Sequence, residues 1–181
     1  LNPARVQYIP FLTAPAPGGA CNGPLPAGPV VRVADAEVLE VASGQIAAYV
    51  PVMLDEPASE NVTVRFYTTS GSAVGGNAPG AGVDYRNWGT VATPRQVVIP
   101  AGSTQAVIAP PVYADGVSES NESFTVTLAA VSGGDYVLSD DVDATVTIVD
   151  ADNLGTSDPV LYVGNGTVFE ADDGTRQLQF H

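Results

Sequence analysis

Asp115-Gly-Val-Ser-Glu-Ser-Asn-Glu122 runs directly into Ser123-Phe-Thr-Val-Thr-Leu128. The second half alternates apolar and polar residues, the pattern of a half-buried strand. The first half places three carboxylates in eight residues. Upstream, Gln105 to Tyr113 reads as another strand, so the acidic segment joins two apolar strands. Crowded carboxylates repel one another and lose solvation. Such a loop is costly unless a cation lies in it.

The alternation extends outward. In Val62-Thr-Val-Arg-Phe-Tyr-Thr68, Val62, Val64 and Phe66 face one way and Thr63, Arg65 and Tyr67 the other. Further strands are expected at Val30–Val33, continued after a kink by Val38–Glu40, and at Ile46–Leu54, Gln96–Pro100 and Ala144–Val149. Pro51 marks its run as an edge strand or a bulge. Gly71 to Gly82 is a glycine-rich loop. About seven strands at hairpin spacing, with no amphipathic helix, give an all-β class. The expected fold is a seven-stranded antiparallel β-sandwich, immunoglobulin-like, over residues 30–153. Residues 1–29 form a Pro/Gly-rich extended arm, in which Arg5 to Leu12 is a short strand demoted by Pro10.

Composition excludes several functions. There are 20 Asp and Glu against 6 basic residues, a net charge of −14. That balance disfavours nucleic acid and anionic membrane surfaces. No run reaches the roughly 18 apolar residues of a membrane span. Cys21 is alone, so it is either an inert linker residue or half of an intermolecular bridge. His181 stands at the end of the sequence and no Ser-His-Asp arrangement exists, so an enzyme is not expected. Trp88 and Tyr85 are either core anchors or a platform for a glycan ligand. Asn61, Asn121 and Asn165 open glycosylation sequons.

Strand parity sorts the acids. If each strand reverses its predecessor, Glu40, Asp84, Asp115, Glu119, Glu122, Asp150 and Asp152 emerge at one end of the sandwich. Asp55, Glu56, Glu60, Asp140 and Asp141 emerge at the other. Seven carboxylates at one end form a solvated acidic rim or hold a hard cation. Calcium takes about six to eight oxygen ligands at about 2.3–2.6 Å, and magnesium prefers fewer carboxylates. Zinc lacks its usual His and Cys here.

These residues resemble the Calx-β domain, the calcium-binding module of sodium–calcium exchangers, integrin β4 and many bacterial surface proteins. The landmarks are Val38-Leu-Glu40, Asp84-Tyr85, Val98-Ile-Pro-Ala-Gly102, the run from Asp115 to Leu128, and Thr147-Ile-Val-Asp-Ala-Asp152. The resemblance implies calcium (Ca2+) held by Glu40, Asp84, Asp115, Glu119, Glu122, Asp150 and Asp152, with the Val117 carbonyl joining. Ala114 and Ala151 stand where members often carry further acids, which implies fewer ions or weaker binding. Residues 154–181 repeat the opening of the unit: Val160–Val163, then Val168-Phe-Glu170, with Glu170 corresponding to Glu40. They read as an incomplete second unit, or as strands that pair with a neighbour. The expected role is a structural module of an extracellular or cell-surface protein, with adjacent units or neighbouring copies as partners. The alternative is a filament or adhesin subunit assembled by strand complementation.

Overall fold

Alternation becomes burial along the longest runs. In β5 (Val62–Ser70), Val62, Val64 and Phe66 are buried while Thr63, Arg65 and Tyr67 are not. In β11 (Glu122–Ser132), Phe124, Val126 and Leu128 are buried. A computed structural model describes residues 28–114 and 118–150, and among them every regular element is a strand. The remaining strands are β1 (Val30–Val33), β2 (Ala36–Leu39), β3 (Gln45–Ala47), β4 (Val50–Leu54), β6 (Gly75–Gly76), β7 (Tyr85–Arg86), β8 (Arg95–Ile99), β9 (Gln105–Ile108), β10 (Pro111–Tyr113), β12 (Val137–Leu138) and β13 (Asp143–Val149). The arm up to residue 27 and the segment 154–181 lie outside the described residues, and so does Cys21.

Three sheets result, with orders β2-β13-β11-β5-β8, β12-β1-β4-β9 and β3-β10-β7-β6. The two four-stranded sheets continue one another. The run 45–54 is divided between β3 and β4, and the run 105–113 between β10 and β9. Ala47 pairs with Pro111 on one side of the crease and Val50 with Ile108 on the other. The Ala48 N–H donates to the Pro110 carbonyl across it at 3.0 Å. Two consecutive prolines, Pro110 and Pro111, lack the N–H groups a continuous ladder would use. The run 30–40 also divides, β1 entering one layer and β2 the edge of the five-stranded sheet. Seven expected runs thereby become ten segments, and the two-residue strands β6, β7 and β12, outside those runs, bring the described residues to thirteen.

Pro51 is neither at an edge nor in a bulge. It lies on β4, between β1 and β9, opposite Val107. Its carbonyl accepts the Ala34 N–H at 3.2 Å. Within a strand a residue's N–H and C=O point the same way, so its missing donor also faces Ala34, just past the end of β1. The reciprocal bond of that pair is absent, and the β1–β4 register ends one pair earlier, at Val33 and Val52. Nor is every neighbouring pair antiparallel: β1 with β12, β2 with β13 and β6 with β7 run parallel.

One core joins the layers. Val31, Val52, Leu54 and Ile108 from one four-stranded sheet, Tyr85 and Val112 from the other, and Phe66, Phe124 and Ile148 from the five-stranded sheet belong to a single buried cluster. The Tyr85 and Phe124 rings stack at 3.8 Å between centroids with planes 7° apart.

A tight turn follows β7. Gly89 has φ +76°, and a Cβ there would stand 2.9 Å from the Arg95 nitrogen and 3.0 Å from the Phe66 carbonyl oxygen. Gly89→Ala should lower stability by at least about 1–2 kcal/mol, the cost of the left-handed region for a residue with a Cβ. Urea denaturation of the two proteins measures it.

Candidate metal centre

Backbone ladders bring the acids to one end. Glu40 follows β2, and its N–H continues the parallel ladder by donating to the Val149 carbonyl at 2.9 Å. Asp150 follows β13 directly, so these two acids leave the sheet side by side. Glu122 opens β11 opposite Ile148 of β13. Asp84 is fixed from two directions. Its N–H donates to the Val74 carbonyl at 2.9 Å, and its carbonyl accepts the Tyr113 N–H at 2.7 Å. Its Oδ2 also accepts the Val74 N–H at 2.6 Å. The glycine-rich loop is therefore tied to the acidic end through Asp84.

Carboxylate oxygens of Asp84, Glu119 and Glu122 lie within 4.8 Å of one another. That is about twice a calcium–oxygen distance of about 2.3–2.6 Å, the separation expected of ligands around one ion. The donor set is all oxygen, which suits a hard cation. Asp150 is 4% exposed, and its Oδ2 accepts the Glu119 N–H. A buried carboxylate thus anchors the backbone beside a converging one. Asp115, Val117 and Asp152 lie outside the described residues. At the far end, Asp55 accepts the N–H of Val30, the first residue of β1, at 2.8 Å.

Crowding leaves an electrostatic signature. The Glu122 carboxyl is pushed up to about 7, first by burial, then by its hydrogen bond with Asp84 and the charges of Asp84, Glu119 and Glu40. Its folded-state value lies above the ordinary 4.5. Ionisation is then harder in the folded chain than in the unfolded one, so the cation-free protein loses stability as pH rises from about 4.5 and stops losing it above about 7. Denaturation midpoints in chelator should fall between about pH 5 and pH 8 on this account, and calcium should flatten the slope.

Tyr85, read as a core anchor or a glycan platform, is wholly buried. Trp88 packs against Phe66 at 6.2 Å and beneath the Arg95 guanidinium at 4.8 Å. A glycan platform built on these two rings would need exposure that Tyr85 lacks. The anchoring roles of Asp84 and Asp150 have no counterpart in the sequence pattern, because both depend on backbone N–H groups from distant loops.

A model of the Calx-β domain matches residues 28–152. The chain belongs to the Calx-β domain family. Calx-β domains are calcium-binding modules. Among solved structures, the chain is similar to the Calx CBD2 domain, at 14% identity over 69% of this chain and 88% of that one, with a TM-score of 0.51. It is also similar to the calcium binding domain CBD12 of CALX1.1, at 24% identity over 67% of this chain and 44% of that one, with a TM-score of 0.50. At these identities the likeness speaks for the fold. No curated protein sequence matches the chain. Among the described residues, no helix is long and apolar enough to cross a membrane.

Proposed function

We propose that this Calx-β chain is a non-catalytic, calcium-binding structural module of an extracellular or cell-surface protein. The convergence of Asp84, Glu119 and Glu122 oxygens within 4.8 Å carries the reading. Glu40, Asp115, Asp150, Asp152 and the Val117 carbonyl complete the ligand set. Calcium supplies positive charge that offsets the mutual repulsion of these groups. Asp84 transmits the constraint to the glycine-rich loop through Val74, and Asp150 transmits it to the Glu119 segment. Asp150 and Asp152 stand at the exit toward residues 154–181, so an ion held there stiffens the joint to the next unit. The surface location is supported by Ala114 and Ala151, which thin the acidic set. Modules with weaker sites fill where calcium is abundant, as it is outside cells, at Kd values of roughly 10⁻⁴–10⁻³ M.

The acids come from four separate places in the chain, so the unfolded protein has no such site. Ligands that bind only the folded state stabilise it by about 1.4 kcal/mol at a concentration 10 times Kd, which millimolar calcium reaches at the tighter end of that range. For a chain of this length that corresponds to a rise in Tm on the order of 3–6 °C. Thermal melts in millimolar calcium and in chelator test the proposal, with magnesium as the control. Equal midpoints in calcium and chelator would count against it.

A second reading, assembly by strand addition, rests on the sheet edges. Strands β8 and β9 each have one side unpaired among the described residues, and Val98 and Val107 on them are 44% and 38% exposed. Open apolar edges accept further strands. Sedimentation across a concentration series tests this reading: it expects self-association, and a chain that stays monomeric throughout contradicts it.

A further inference from the structure

We propose that a groove beside β5 and the segment 87–93 is a binding site for a neutral oligosaccharide, independent of the calcium reading. The groove has a volume of about 660 Å³. This falls within the range of roughly 300–1,000 Å³ typical of small-ligand sites. Tyr67, Thr69, Asn77, Asn87, Thr90 and Thr93 line it, and no charged residue does. On a chain with a net charge of −14, an uncharged polar groove of this size stands apart.

Its walls are preformed. The Trp88 N–H donates to Thr68 Oγ1 at 2.8 Å, and the Thr68 N–H donates to the Trp88 carbonyl at 3.0 Å. The Asn87 N–H donates to the Gly76 carbonyl at 2.8 Å, which sets one rim. Thr90 and Thr93 exchange backbone hydrogen bonds at 3.1 and 3.2 Å and share a hydroxyl contact at 2.8 Å, which sets the other. No hydrogen bond within the described residues occupies the side-chain amides of Asn77 and Asn87 or the Tyr67 hydroxyl. Amides and hydroxyls both donate and accept, as sugar hydroxyls do. The Tyr67 ring adds an apolar face with a polar tip. An anionic ligand would meet no cation in the groove, and a fully apolar one would strand its amides. The chemistry that fits is a neutral polyhydroxylated chain.

The test uses the full chain in calcium-containing buffer, with maltotriose, cellotriose and chitotriose as neutral probes and trigalacturonate as the acidic one. Side-chain amide signals in ¹⁵N-edited NMR are followed during each titration. At least one neutral probe should shift the Asn77 and Asn87 amides saturably in the millimolar range, and trigalacturonate should not. Asn77→Ala, at an exposed loop position that leaves the core untouched, should weaken that binding about fivefold or more, the equivalent of one lost neutral hydrogen bond. Tyr67→Ala should weaken it as well. No response to any neutral probe overturns the proposal, and so does binding that both variants leave unchanged. A stronger response to trigalacturonate also overturns it.

Discussion

Phe124→Ala is expected to lower stability by about 3–5 kcal/mol, the range for truncating a buried phenylalanine. Phe124 is wholly buried and sits in the central strand of the five-stranded sheet. Its ring stacks on Tyr85 at 3.8 Å, and a stacked pair adds about 0.5–1.5 kcal/mol beyond the buried area. Domains of this kind have total stabilities of roughly 5–15 kcal/mol, so the loss is a large share. Phe124 lies two residues after Glu122, and Tyr85 follows Asp84. The stack therefore fixes the spacing of two acids from different layers, and the variant should bind calcium more weakly as well. Tyr85→Phe is the control. It keeps the stack and gives up the hydroxyl contacts with Ser70, at 3.3 Å, and with Thr68. Its cost should stay near about 0.5–1.5 kcal/mol. Urea denaturation separates the two, and equal losses would refute a special role for the stack.

Glu122→Gln should act in opposite directions with and without calcium. In chelator the variant should be more stable than the parent, because it removes a carboxylate that burial and three neighbouring acids disfavour. In calcium it should be less stable, because an oxygen donor of full charge has gone. The difference between calcium and chelator melts should shrink to a small fraction of the parent's value. The gain in chelator should be clear near about pH 8 and vanish near about pH 5, where the parent carboxyl is already protonated. A variant destabilised equally in both buffers would mean that Glu122 supports packing and holds no ion.

Much of this arrangement is legible in the sequence because β-structure has a short period. Val62, Val64 and Phe66 declare their burial by alternation alone. Direction is equally readable, since each reversal carries the next acid to a known end. That is why Asp84, Glu119 and Glu122, up to 38 residues apart, converge. The divisions of the long runs are not readable in this way. Ala48 and Tyr49 resemble their neighbours, and the crease beside them is imposed by Pro110 and Pro111 on another strand. Pro51 misleads for a related reason, because a missing donor is tolerated inside a sheet where the neighbouring strand's pairing ends, and the sequence of β4 does not show where β1 ends. Strands of two residues, β6, β7 and β12, are too short to show any period. The buried anchoring by Asp150 is invisible because its partner is a backbone N–H, which every residue but proline carries.

Calorimetric titration of calcium into chelator-treated, desalted protein addresses the metal centre most directly, run beside Glu122→Gln at the same pH. The parent should give saturable binding that weakens as pH falls below about 7, where protons compete for Glu122. The variant should give markedly weaker binding or none. A parent that takes up no calcium at millimolar concentration, or a variant that binds as well as the parent, would contradict a calcium site built on Asp84, Glu119 and Glu122.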